Sequence, residues 1–241
     1  MFNAGSRIVN NWLYAIPEGF VLIDTGYENG FARFKKRLSS LNIEVRDIRY
    51  IFLTHAHDDH AYFLKEILGE TPDVQVIMHP KAIEALHRGH NSFAGGCSGR
   101  LALFFCNFMR VLGKGAHRFP PLNREFEKRC ILVSEPNREA LGLKLHGSII
   151  DTPGHTADSL SLFLNDGRLF CGDAAMNGLP SLHKTTIWVE DKEAFLRSWQ
   201  TIIGLKPVKI YPGHGRPFDY GELEKNACQA RKMKLYPLNG A

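Results

Sequence analysis

His55-Ala56-His57-Asp58-Asp59-His60 places three histidines and two aspartates within six residues. Imidazole and carboxylate are ligands that zinc and related divalent ions take, and a hydrolytic metal site needs several of them converging. The chain holds 11 histidines, so three in one short run is a concentration. The stretch before it, Ile48 to Thr54, reads as a buried strand, because Ile48, Tyr50, Ile51, Phe52 and Leu53 are apolar or aromatic. The stretch after it, Ala61 to Leu68, reads as a helix. The run therefore sits on the turn leaving a strand's C-terminal end, where a rigid scaffold commonly carries chemistry. His55 and His57 can face one point, and Asp59 and His60 can turn to a second one nearby. One short loop would then serve two metals. Asp58 reads as the N-cap of the following helix.

Further donors follow, each after an apolar run: His155 in Thr-Pro-Gly-His-Thr, Asp173 in Cys-Gly-Asp-Ala and His214 in Tyr-Pro-Gly-His-Gly. Asp24 stands earlier, in Leu-Ile-Asp-Thr-Gly. Gly154 and Gly213 let the backbone turn sharply before a histidine, and Gly172 lets it pass close before Asp173. This ordered constellation resembles the metallo-β-lactamase superfamily and spans most of the chain. The resemblance implies an α/β fold: a four-layered αβ/βα sandwich, two mixed sheets face to face with helices outside. One domain over 1–241 is expected, with an apolar insertion at about 89–129.

Residue by residue, the resemblance implies that His55, His57 and His155 hold the first metal. Asp59, His60 and His214 would hold the second, and Asp173 would bridge both. Asp59 and Asp173 are then the catalytic carboxylates, and Asp24 orients a ligand from behind. The implied cofactor is two zinc ions per chain, with iron or manganese as alternatives. The implied reaction is hydrolysis of an ester, thioester or lactone by a bridging hydroxide. The motif set is closest to the glyoxalase II and acyl-homoserine lactonase types. The zinc penicillinases most often carry cysteine where Asp173 stands, which disfavours a β-lactam hydrolase. The diiron reductases usually carry an acid where His57 stands, which disfavours an iron-dependent oxidoreductase. A non-catalytic metal-stabilised module would close its shell with four ligands and need no second metal.

Composition agrees with a globular chain: 44% hydrophobic, 23% charged, formal net charge +5. No basic tract reads as a nucleic-acid tail, so the expected partner is a small molecule and no nucleic acid. No apolar run reaches membrane-spanning length, and Met1 to Asn11 lacks a signal-peptide core. Five cysteines without a Cys-x-x-Cys pair argue for a reducing, cytoplasmic setting.

Strands are expected at Arg7 to Ile16, Phe20 to Asp24, Val74 to His79, Cys130 to Ser134, Leu143 to Asp151 and Val208 to Tyr211. Leu160 to Leu164 and Arg168 to Cys171 flank Asn165-Asp166-Gly167, a hairpin signal. Helices are expected around Phe31 to Leu41, from Pro80 through Arg88, at Asp191 to Gly204 and at Tyr220 to Leu235. Leu101 to Leu112 is the most apolar run, set between glycines. It reads as a helix packed on the core or in a homodimer interface, or as a lid. In the lid reading Phe104, Phe105, Phe108 and Met109 wall a pocket for an apolar acyl group. A weak membrane contact is the third reading.

Overall fold

A computed structural model describes residues 1–238. In chain order the elements are β1 (Phe2–Asn3), β2 (Trp12–Ile16), β3 (Gly19–Ile23), α1 (Phe31–Ser40), β4 (Ile48–Phe52), α2 (Asp58–Ala61) and α3 (Leu64–Glu70). Then come β5 (Gln75–Met78), α4 (Ala82–Arg88), β6 (Gly96–Cys97), α5 (Arg100–Val111), β7 (Cys130–Leu132), α6 (Glu135–Lys144) and β8 (Gly147–Asp151). The last are β9 (Leu160–Leu164), β10 (Arg168–Gly172), β11 (Trp188–Val189), α7 (Lys192–Leu205), β12 (Lys209–Pro212) and α8 (Tyr220–Arg231). Two compact units emerge: Met1–Asn91 with Arg118–Ser148, and Ser92–His117 with the chain from Ile149 onward.

The first unit is built on a six-stranded sheet in the order β1-β2-β3-β4-β5-β7. β2 and β3 form an antiparallel hairpin across Pro17-Glu18, and β3, β4, β5 and β7 run parallel. Leu22, Ile51 and Val76 are fully buried, and α1 and α3 pack Phe34, Leu38, Leu64 and Ile67 into the same core. The expected helix from Ala61 to Leu68 is two helices. Thr25 explains the break: its backbone N–H and its hydroxyl both donate to the His60 carbonyl, at 2.7 and 2.9 Å. That carbonyl is withdrawn from the helix ladder, and α2 ends one residue later.

The expected strand from Leu143 is also corrected. α6 runs to Lys144, and β8 starts only at Gly147. Leu141, Leu143 and Leu145 alternate like a strand, but Leu141 and Leu145 are buried while Leu143 is 71% exposed. That is the i, i+4 pattern of a helix. The start signal is Ser134 in a capping box with Asn137, whose side chain accepts the Ser134 N–H at 2.8 Å, and Pro136 in the first turn.

The second unit carries a four-stranded sheet in the order β12-β10-β9-β8 and a β6–β11 pair. The β9–β10 hairpin turns on Gly167 at φ +86° and pairs Leu169 with Phe163. β10 and β12 are parallel, and their register slips by one residue at Cys171. Asp191 caps α7 by accepting the Ala194 N–H at 2.9 Å, and Phe195, Trp199 and Ile202 fill the core beneath. Among the described residues, no helix is long and apolar enough to cross a membrane.

Candidate metal centre

In the first unit, β4 delivers Thr54 and His55 into a buried loop. Asp24 lies behind them, at φ +57° and 1% exposed. Its Oδ1 accepts the Thr54 N–H at 2.7 Å, and its Oδ2 accepts the Thr54 hydroxyl at 2.8 Å. Oδ2 also faces His60 Nδ1 at 2.8 Å. A carboxylate can only accept, so His60 carries its proton on Nδ1 and presents the Nε2 lone pair. Thr54 has spent its one proton on Asp24. The 3.0 Å contact between Thr54 Oγ1 and His55 Nδ1 therefore makes Nδ1 of His55 a donor and Nε2 its unprotonated nitrogen. The His55 ring lies 4.7 Å from His57 and 4.1 Å from His60, centroid to centroid. Asp59 Oδ1 stands 3.8 Å from His60 Nε2.

Asp58 is not the helix N-cap; His57 is. Asp58 is buried and pairs reciprocally with Asn91: its N–H donates to Asn91 Oδ1 at 2.8 Å, and its Oδ1 accepts from Asn91 Nδ2 at 2.7 Å. This pair ties the loop to residue 91, a link that carries no sequence signal. Burial first, then the charges of Asp58 and Asp59, pushes the Tyr27 hydroxyl up to about 12. Tyr27 therefore stays a protonated donor at neutral pH.

In the second unit, His155 Nδ1 donates to the Trp188 carbonyl at 2.8 Å, which again makes Nε2 the unprotonated nitrogen. Asp173 Oδ2 lies 3.7 Å from His155 Nε2 and 3.4 Å from His214 Nε2. The backbone after β10 is fixed by Trp199, whose indole N–H donates to the Ala174 carbonyl at 2.7 Å. Gly154 has φ +132°, and a Cβ there would stand 2.3 Å from the Phe195 N and Cα. Neither backbone atom can yield. Gly154→Ala is expected to cost about 2 kcal/mol, a melting temperature lower by roughly 4–8 °C in a thermal scan. Around His214 the left-handed residue is Gly215, at φ +88°, and not Gly213.

These donors suit a metal by their spacing. Hydrogen bonds would bring the paired atoms to about 2.8 Å. Ligands at about 2.1 Å from a tetrahedral ion stand about 3.4 Å apart. The imidazole–carboxylate separations, 3.4 to 3.8 Å, match the second case. Among the described residues, His55, His57, Asp59 and His60 are the donors suited to metal ions in the first unit, and His155, Asp173 and His214 those in the second. Of the α5 residues, Phe104 and Phe108 are exposed, at 70% and 51%, whereas Phe105 and Met109 are half-buried.

A sequence model of the metallo-β-lactamase superfamily matches residues 4–214. The chain belongs to the metallo-β-lactamase superfamily. The Beta-lactamase-like protein 2 homolog of Caenorhabditis elegans is 30% identical over 214 residues, 87% of this chain and 57% of that protein. The chain thus spans little more than half of that relative's length. The Probable metallo-hydrolase YflN of Bacillus subtilis is 26% identical, over 83% of this chain and 77% of its own. TTHA1623, solved in a di-iron-bound form, aligns with TM-score 0.62 at 22% identity, over 93% of this chain and 96% of that one. The likeness shows the metallo-β-lactamase fold, the α/β class expected from the sequence.

Proposed function

We propose that this metallo-β-lactamase-fold chain is a dinuclear zinc hydrolase of a carboxylic ester, thioester or lactone, acting as a single domain. His55, His57 and His155 would hold one ion, Asp59, His60 and His214 the other, and Asp173 would be shared. The observation that carries the reading is the pair of Nε2 atoms, from His155 and His214, both set on one Asp173 oxygen at 3.7 and 3.4 Å. A carboxylate shared in this way suits a ligand common to two ions. When bound, the ions would supply Lewis acidity and a water acidified toward neutral pH.

The chain's own residues do the rest. Thr54, Asp24 and the Trp188 carbonyl lock the tautomers of His55, His60 and His155, so each presents Nε2 without rearrangement. Asp59 and Asp173 offset only half the charge of two dications, so the site stays electropositive toward a carbonyl oxygen and an oxyanion leaving group. No serine or cysteine nucleophile is required. The half-buried Phe105 and Met109 are the apolar residues proposed to favour an acyl group.

Elemental analysis tests the metal: about two zinc per chain supports the reading, and iron with oxidoreductase activity would replace it. Prolonged chelation should abolish hydrolysis and lower the melting temperature, and added zinc should restore both. At 100-fold excess of free ion over Kd the bound metal contributes about 2.7 kcal/mol to stability. Hydrolysis that survives removal of the metal would end the proposal. A panel of lactones, thioesters, β-lactams and phosphodiesters on metal-quantified protein identifies the substrate.

A further inference from the structure

The apolar face of α5 points outward. Leu101, Phe104, Phe108, Val111 and the adjoining Leu112 are 41%, 70%, 51%, 84% and 56% exposed. At 3.6 residues per turn they fall within an arc of about 100°. The opposite side is the packed one, with Ala102 4% exposed and Cys106 and Met109 half-buried. A monomer rarely leaves so continuous an apolar stripe in water without a use for it.

A second feature lies at the N-terminal end of the stripe. A cavity of about 280 Å³ is lined by Arg100, Leu101, Leu182, His183, Lys232 and Lys234, among others, and no carboxylate among the described residues lines it. Leu101 belongs to both the stripe and the cavity, so apolar face and basic pocket are continuous. Arg100 is the first residue of α5, so the helix's positive end adds to the pocket's preference for an anion.

The charge pattern of the sequence points the same way. Residues 85–124 contain no aspartate or glutamate and six lysines and arginines. The formal charge of the whole chain is +5, which leaves one net negative charge for the remainder.

We propose that the outer face of α5 and the basic cavity at its start dock this protein on an anionic phospholipid surface. Phe104, Phe108 and Val111 enter the interface between headgroups and acyl chains. Arg100, Lys232 and Lys234 hold a headgroup phosphate. An in-plane helix with aromatic and aliphatic residues on one side and basic residues beside them is the form that binds membrane interfaces. A second copy of this chain is a poorer occupant. It would bring together two helices without acidic residues, each carrying Arg100 and Arg110.

Flotation with extruded vesicles tests the idea, using phosphatidylcholine alone against an equimolar mixture with phosphatidylglycerol. Wild type should float with the mixed vesicles at least about tenfold more strongly at low salt, and high salt should reduce the difference. Phe104→Ser combined with Phe108→Ser should cut flotation about tenfold or more on both compositions. Lys232→Gln combined with Lys234→Gln should remove only the preference for the anionic one. Val111→Ser, at an 84% exposed position, should weaken flotation alone and keeps the test readable if the phenylalanine variant melts lower. No flotation of wild type overturns the proposal, as does flotation unchanged in both the phenylalanine and valine variants. A dimer in light scattering that these variants dissociate, without flotation, assigns the face to a second copy.

Discussion

Asp173→Ala is expected to leave a folded protein that retains less metal and turns over roughly 10³-fold more slowly, the upper end of the cost of removing one preorganised charge. The backbone here does not depend on the carboxylate, because the Trp199 indole holds the Ala174 carbonyl and Gly213 donates to the Gly172 carbonyl at 2.8 Å. The metal-free variant should melt close to metal-free wild type. What it loses is the oxygen that faces both His155 and His214. Asp173→Asn keeps the shape and loses the charge, so its activity should also fall steeply. Metal quantification beside kinetics is the measurement. Near-wild-type turnover with full metal in either variant would show that Asp173 is not a shared ligand.

Asp24→Ala should act in the opposite order, on the fold first. Three buried donors lose their acceptor at once: the Thr54 N–H, the Thr54 hydroxyl and His60 Nδ1. Each orphaned donor costs about 1–3 kcal/mol, less than additively, so a loss of about 3 kcal/mol is expected. For a chain of this length that lowers the melting temperature by roughly 6–12 °C, with or without metal. Freed of its partner, His60 can take the wrong tautomer, and metal affinity should drop about 10–100-fold. Asp24→Asn tolerates the left-handed backbone but offers one acceptor oxygen instead of two, so it should fall between. A variant with unchanged melting and metal affinity would reduce Asp24 to a turn residue.

The strand before the histidine run was legible because an apolar stretch met a ligand-rich turn. The Asn165-Asp166-Gly167 hairpin and α7 were legible because turn chemistry and helical spacing act locally. What the sequence hid is non-local. Nothing at Thr25 announces that it will take the carbonyl of His60, thirty-five residues on, and divide a helix. Nothing at Asn91 announces its exchange with Asp58. The strand expected from Leu143 differs in kind, because Ser134, Pro136 and Asn137 carry a helix start signal in the local sequence. The outward face of α5 could not be inferred either, since an apolar run does not say which side the core will take.

The slip between β10 and β12 lets β10 carry one residue more than its neighbour. A strand presents successive side chains to opposite faces, and a bulged residue breaks that count while the pairing resumes beyond it. Cys171 is that extra residue: Phe170 faces Tyr211 and Gly172 faces Pro212 across the pair. Asp173 lies just beyond it. Counted by simple alternation from Phe170, Gly172 would share the Phe170 face; paired with Pro212, it takes the opposite one. The end of β10, and the turn that carries Asp173, is placed by pairing with β12 and not by counting residues.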